Sequence, residues 1–511
     1  MGLSVVGIII KLLFLTILIC FFKHKIYIYT PKKMYMITIS KKTAINHDDN
    51  VVLLCNKNSS FNNYNLSKPE IGFIKSEIQK EKLFITINQF NRWIFIQLLD
   101  IKKEKYLTWE TLRRAANTMH ACIVENKIET ISIVDTNDQP VKTLAFTEGL
   151  ALSNYQFLKY RKERKKEEYS LKNIVVVSKN TQAQLDELKI VVDATFIART
   201  LVNEPVNFLT AVQLSKEFQK LGKEAGFNVN VFDKAKITSL KMGGLLAVNR
   251  GSIDPPTFSI MEYKPKNAKN KQPIVLVGKG VVYDTGGVSL KPTPNSMDMM
   301  KCDMAGSAAV AATMYAIAKA KLKIHLVALV PATDNRPGEN AYVPGDVITM
   351  YNGLTVEMMN ADAEGRMILA DALVYAQQYK PKLVIDIATL TGSAMVAIGT
   401  SGIVAMGTAD ERTKDKLKES GNNVYERIAE MPFWDDYDDA IKSDIADMKN
   451  LGGSYAGSIT AGKFLARYID YPWMHFDIAG PAFVTTADNY RGKGGTGVGV
   501  RLLFDYLKNN A

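Results

Sequence analysis

The chain reads as an α/β protein with two domains. A smaller N-terminal α/β domain precedes a larger C-terminal one, whose mostly parallel sheet is flanked by helices. Three observations predict this. Short apolar, β-branched runs alternate with helix-length segments along most of the chain, as expected of strands buried on both faces. A proline closes a long helical segment at Asn203-Glu204-Pro205, and the residue before a proline avoids helical geometry. The 511 residues, 47% of them hydrophobic, suffice for two cores.

The elements follow in order. Residues 1–35 are an apolar extension, with Val5 to Ile10 and Leu12 to Phe22 broken by Lys11 and followed by Lys23-His24-Lys25. Three readings stand: a membrane anchor, a signal peptide, or a start assigned upstream of Met34 or Met36. No small-x-small cleavage site follows, and Val6 stands where N-myristoylation needs Ser or Thr. A membrane partner follows only if residues 1–22 are retained. Residues 36–178 form the first domain, with strands expected at 36–39, 51–54, 82–86, 93–96, 130–134 and 173–177. Helices are expected at 108–124, with Thr108 as its cap, and at 147–158. Residues 179–204 form a linker helix, with Leu185, Leu188, Val192 and Phe196 near helical spacing. Residues 205–511 form the second domain. Its strands are expected at 273–277, 324–330, 383–387, 403–406 and 473–478, and its helices at 303–320 and 363–378.

Composition excludes several function classes. Cys20, Cys55, Cys122 and Cys302 show no paired spacing, which argues against a disulfide framework or a thiolate zinc site and for a reducing compartment. None of the five histidines forms HExxH or another close pair. The net charge of +12 admits an acidic partner such as nucleic acid. The basic runs at 161–166 and 264–271 lack interleaved aromatics, however, and read as solvated faces. GxGxxG occurs at Gly492-Lys493-Gly494-Gly495-Thr496-Gly497, too near the C-terminus for a βαβ unit, and reads as a tight loop. The P-loop-like run Gly457 to Lys463 is followed by Phe464, so the hydroxyl that would hold magnesium is missing.

The chemistry concentrates in two glycine-bracketed stretches. The first runs from Gly278-Lys279-Gly280 through Asp284-Thr285-Gly286-Gly287 and Lys291 to Asp303. The second is Asn360-Ala361-Asp362-Ala363-Glu364-Gly365-Arg366. Taken singly, each acid could be a helix cap or a first-turn residue favoured by the helix dipole. Together, Asp284, Asp303, Asp362 and Glu364 carry the charge that two divalent cations would neutralise. Lys279 follows a buried strand, where an ammonium is costly unless paired or neutral, and a neutral amine can ligate metal. Arg366 is a fixed cation suited to an oxyanion.

At these residues the chain resembles the leucyl (cytosol) aminopeptidase family of dinuclear metallopeptidases, over roughly 202–507. The family octapeptide NTDAEGRL is matched at Asn360 to Met367, with Ala361 and Met367 as departures at positions that are not ligands. The stretch before Asp303 is one residue longer than in some relatives, which would shift the loop Pro292-Thr293-Pro294. Asp386-Ile387-Ala388-Thr389-Leu390-Thr391-Gly392 looks like the family's substrate-cleft segment.

The resemblance implies a hydrolase that releases N-terminal, leucine-like residues from peptides through a hydroxide bridging two Mn2+ or Zn2+ ions. Lys279, Asp284, Asp303 and Glu364 would hold one ion, and Asp284, Asp362 and Glu364 the other. Lys291 would stabilise the oxyanion, and Arg366 would anchor a bicarbonate acting as general base. Met300, Asn360, Thr389, Leu390, Gly392 and Ala479 would contact substrate. A homohexamer and a cytoplasmic location are also implied. A DNA-binding protein with an incidental peptidase site is the alternative from another class. A two-metal phosphoesterase is allowed by the carboxylates alone.

Overall fold

Apolar runs too continuous for a half-exposed strand build the centre of the first sheet. In the computed structural model, which describes residues 37–510 apart from Asp138, its strands are β1 (Thr38–Lys41), β2 (Val51–Cys55), β3 (Phe84–Asn88), β4 (Trp93–Leu98), β5 (Thr130–Asp135) and β6 (Asn173–Val177). Their order is β1-β6-β5-β2-β4-β3, and only β3 with β4 is antiparallel. The Val-Val-Leu-Leu-Cys run of β2 shows why the run is unbroken. Val52 and Leu54 enter one core while Val51, Leu53 and Cys55 enter another on the opposite face. The apolar extension assigned to residues 1–35 lies outside the described residues.

Helix ends differ from expectation where capping was misread. The helix expected at 108–124 is Lys105–Glu125, one turn longer at its start. Thr108 lies inside it, its hydroxyl accepting the Lys102 amide at 2.9 Å. The helix expected at 147–158 is Pro140–Ser153, opened by its proline. A helix at Lys68–Gln79 was not expected, although Ser67 and Glu70 form a capping box that the sequence displays.

The long helix Gln182–Asn203, capped by Thr181 and Gln184, lies between the two sheets. Leu185, Val192 and Phe196 enter the core of the first sheet. Val191, Ala194, Ala198 and Leu201 enter the core of the second. Two apolar stripes on one helix explain its weak amphipathic pattern.

The second sheet holds β7 (Asn228–Phe232), β8 (Thr257–Tyr263), β9 (Ile274–Gly278), β10 (Gly280–Asp284) and β11 (Leu326–Asn335). A small separate sheet pairs β12 (Val347–Thr349) and β13 (Thr355–Glu357) with β17 (Met448–Lys449). The remaining strands of the large sheet are β14 (Leu383–Ala388), β15 (Ile403–Gly407), β16 (Ile428–Glu430) and β18 (Trp473–Asp477). Its order is β16-β15-β18-β14-β9-β11-β8-β7, with β10 added beside β11. The centre, β18-β14-β9-β11, is parallel. Leu276 faces the helix Ala305–Lys319 on one side, and Val275 and Val277 face the helix Glu364–Ala376 on the other. The alanine-rich helix sits close to the sheet, since a Cβ on Gly306 would meet the Ile387 carbonyl at 2.0 Å. β11 runs five residues beyond the expected 330, which brings Asn335 alongside Asp284.

The glycine motif at 492–497 contributes Gly494–Gly495 to a two-stranded ladder with Phe483–Val484, so it is a loop. The P-loop-like run lies in the helix Gly457–Ala466, where Lys463 is buried and paired with Asp435 and Asp438 at 3.0 Å each. Among the described residues no helix is long and apolar enough to cross a membrane.

A buried ionic network joins helices of the first sheet to the C-terminal helix Val500–Asn510. Glu148 accepts from Arg113 at 2.5 Å and from Arg501 at 3.2 Å, and Arg501 also reaches Glu426 at 3.2 Å. Glu148→Ala removes the carboxylate that the two guanidiniums share. It is expected to cost about 3–5 kcal/mol, measured as a urea transition earlier than that of the wild-type protein.

Candidate metal centre

Lys279 stands between β9 and β10, where the ladder to the neighbouring strands breaks. Its amide donates to Ile387 at 3.2 Å, and its carbonyl accepts from Ser307 at 2.9 Å. The side chain is thereby directed inward with little freedom. Asp284 ends β10, and the next residues turn back on it. The Gly286 amide donates to Asp284 Oδ1 at 2.8 Å, and the Lys291 amide to the Thr285 carbonyl at 2.9 Å. Gly286 has φ +85° and no room for a Cβ, which would meet the Ser289 carbonyl at 2.4 Å. This turn brings Lys291 back over Asp284. Asp303 ends the 3-10 turn Met297–Cys302 and precedes the helix Ala305–Lys319.

The second stretch is held from both sides. Asn360 Oδ1 accepts the Asp362 amide at 2.8 Å, and Asn450 Nδ2 donates to the Asn360 carbonyl at 2.9 Å. Glu364 then opens the helix Glu364–Ala376.

The six groups meet. Lys279 Nζ lies 2.7 Å from Asp303 Oδ1 and 2.9 Å from Glu364 Oε1. Lys291 Nζ lies 2.9 Å from Asp284 Oδ2 and also pairs with Asp362. Oxygens of Asp284, Asp362 and Glu364 fall within 4.8 Å of one another. Thr389 joins the cluster, its hydroxyl donating to Asp303 Oδ1 at 2.7 Å and its carbonyl accepting from Lys279 Nζ at 2.9 Å.

The electrostatics follow from burial. Lys279, Asp284, Asp303 and Glu364 are each at most 3% exposed, so their charges are settled by one another rather than by water. Burial alone would favour a neutral Lys279. The charges of Asp303, Glu364 and Asp284 outweigh it and raise the lysine above its usual range. Lys291 is raised by the same contest, its burial outweighed by Asp284, Glu364 and Asp362. Burial, with Glu364 and Asp284 adding to it, pushes Asp362 up to about 7 against the pull of Lys291. Burial also raises Asp303 and Glu364. Four carboxylates against two ammoniums leave the cluster short of positive charge.

The donor set suits divalent cations. Asp303 Oδ2 and Glu364 Oε2 are buried without hydrogen-bond partners, so coordinating lone pairs are free. Hard carboxylate oxygens, with one lysine nitrogen beside them, are the atoms that would coordinate such a cation. Arg366 is buried apart from the direct pairs. Its Nη1 donates to the Asn450 carbonyl at 2.8 Å, its Nε has no partner, and burial lowers it to about 10.

The other residues expected to contact substrate occupy the segments that follow β10, β14 and β18. Met300 is half-buried, and its carbonyl accepts the Asp303 amide at 3.3 Å. Leu390 and Ala479 are half-buried and share one anchor, their amides both donating to Asp477 Oδ1 at 3.1 Å. Gly392 is exposed at the start of the helix Gly392–Ile398. Sequence reasoning missed Asn335, Tyr342, Asn450 and Asp477, which brace the loops. All four come from segments whose local pattern carries no chemical signal.

Residues 196–504 match the model of the cytosol aminopeptidase family catalytic domain. The chain belongs to the cytosol aminopeptidase family. A probable cytosol aminopeptidase of Chlorobaculum tepidum is 53% identical over 314 residues, 61% of this chain. That match spans 62% of the relative's own length. A probable cytosol aminopeptidase of Chlorobium limicola is 44% identical over 421 residues, 78% of this chain and 83% of the relative. Among solved structures, the bottromycin maturation enzyme BotP in complex with Mn superposes with a TM-score of 0.80 at 27% identity. It covers 90% of this chain and 99% of its own.

The glycine of the family octapeptide has a physical reason here. A Cβ on Gly365 would stand 2.4 Å from Lys279 Cε and 2.7 Å from its Nζ. Gly365→Ala would force the buried Lys279 arm off its present path between Asp303 and Glu364. It should bind Mn2+ roughly tenfold or more weakly, measured by calorimetry on metal-free protein.

Proposed function

We propose that this chain is a metal-dependent aminopeptidase that releases N-terminal residues, leucine-like ones by preference, from peptides. The observation that carries the reading is the convergence of Asp284, Asp303, Asp362 and Glu364 on Lys279 and Lys291 in one buried cluster. Family membership supports it, and the manganese bound by BotP supports Mn2+ over other ions.

Lys279, Asp284, Asp303 and Glu364 would hold one cation, and Asp284, Asp362 and Glu364 the other. When bound, such a pair supplies Lewis acidity and an activated hydroxide at neutral pH. The protein's own groups do the rest. Lys291, held over Asp284 and Asp362, would donate to the scissile carbonyl oxygen and stabilise charge as it develops there. Arg366, with its buried Nε unpartnered, would hold bicarbonate as general base. Asn360, Thr389 and Gly392 would position the peptide, while Met300, Leu390 and Ala479 would contact its first side chain. Each methylene in such a pocket is worth about 1–3 kcal/mol, so preference would be broad. A hexamer and a cytoplasmic location belong to the same reading and rest on the family resemblance alone. DNA binding draws no comparable support, since the basic run at 161–166 is partly offset by the Arg161–Glu167 and Lys166–Glu163 pairs.

Glu364→Ala or Asp284→Ala is expected to lower hydrolysis of a leucine anilide by about a thousandfold or more. Near-full activity in either variant would refute the assignment, and faster turnover of a phosphate ester would favour the phosphoesterase. Arg366→Ala should lower kcat with the metal content unchanged and gain little from added bicarbonate. Loss of metal in that variant would reassign the residue to the metal shell.

A further inference from the structure

We propose that Asn335 is a positioning residue that holds the two ligand-bearing stretches in register, an inference that rests on the metal-site reading above. Asn335 is the last residue of β11 and lies opposite Asp284, the last of β10. Its backbone carbonyl accepts from the Thr285 amide at 3.0 Å and the Thr285 hydroxyl at 2.8 Å. Its side-chain Nδ2 donates to Asp284 Oδ1 at 2.8 Å and to the Ala361 carbonyl at 2.9 Å. One fully buried amide therefore ties the carboxylate at the end of β10 to the backbone just before Asp362.

The chemistry of this position favours asparagine. Two acceptors face it, and one NH2 group carries two hydrogens. A lysine or arginine would satisfy them but would fill with a fixed cation the charge deficit left for a metal. An aspartate would offer only acceptors to two oxygens. The chain beside it is adapted to the amide as well, since a Cβ on Gly287 would stand 2.7 Å from Asn335 Oδ1. With Oδ1 of Asp284 held by Asn335 and the Gly286 amide, Oδ2 is left turned toward Lys291. Asn335 thus couples the rotation of Asp284 to the depth of the 360–364 loop, alongside the Ala361 amide's bond to the Ser289 hydroxyl at 3.1 Å and the Lys279–Glu364 and Lys291–Asp362 pairs.

The role can be separated from packing. Removing the amide does not orphan its partners, because the Ala361 carbonyl also accepts from Tyr342 at 3.1 Å and Asp284 Oδ1 from Gly286. Asn335→Leu keeps the volume and removes both donors, while Asn335→Ala removes volume and donors alike. When metal-free, Asn335→Leu is expected to melt near the wild-type temperature, and Asn335→Ala to stay folded but melt lower because of its cavity. Both should bind Mn2+ roughly 10–100-fold more weakly by calorimetry, with a correspondingly smaller melting shift on Mn2+ addition. kcat for a leucine anilide should fall more than KM rises. A Leu variant that keeps wild-type Mn2+ affinity while the Ala variant loses it would overturn the proposal in favour of packing. Wild-type affinity in both, or loss of the folded state in both metal-free variants, would overturn it too. Wild-type protein that takes up no Mn2+ would instead sink the metal reading beneath it.

Discussion

Three carboxylates held out of water, with Asp362 half-buried beside them, are the constraint on which the larger domain depends. Removing a carboxylate from water costs several kcal/mol even after relaxation, and the cost is recovered only through close opposite charge. Here each lysine spans two carboxylates, Lys279 between Asp303 and Glu364 and Lys291 between Asp284 and Asp362. The compensation is incomplete by two charges, and burial, with the neighbouring carboxylates adding to it, raises Asp303, Asp362 and Glu364. A cluster built only for stability would be neutral. This one is arranged for additional positive charge.

The ionic network between the two sheets makes the contrast. Glu148 is buried too, yet Arg113 and Arg501 outweigh its burial and hold it below the ordinary range. Its two oxygens are both used. In the candidate site Asp303 and Glu364 each keep an oxygen free. Buried charge in the first place closes a structure, and in the second it leaves ligating atoms exposed to whatever enters. Perturbed groups with spare valence mark function more reliably than perturbed groups alone.

The sheet makes this geometry available. Parallel strands covered on both faces are rigid; the ends of β9 and β14 lie side by side at Lys279 and Thr389, and β10 and β11 run on together to Asp284 and Asn335. Close approach is secured by small residues. Gly306 lets a helix lie on the sheet next to Lys279, and Gly365 leaves a groove for the lysine arm itself. The result places side chains from distant parts of the sequence within hydrogen-bonding range.

Much of this was legible in the sequence. Apolar runs such as Val51 to Cys55 and Ile274 to Gly278 specify strands because every residue must be buried, and the Thr181–Gln184 box specifies a helix start locally. The acids and lysines were legible because their chemistry is written in residue type and order. Errors arose where the signal was short or non-local. Thr108 looks like a cap but lies inside its helix, and β11 continues through Pro331 to Asn335 because β10 and β8 pair with it there. Asn335, Tyr342, Asn450 and Asp477 carry ordinary side chains in ordinary contexts, and only their distances to the two loops give them meaning. The sequence by itself determined which groups must share charge, since charge and hydrogen-bonding capacity are properties of residues. Tertiary structure alone decided which oxygen faces which nitrogen and which lone pairs stay free, because those depend on strand ends and loops that meet only after the sheet has formed.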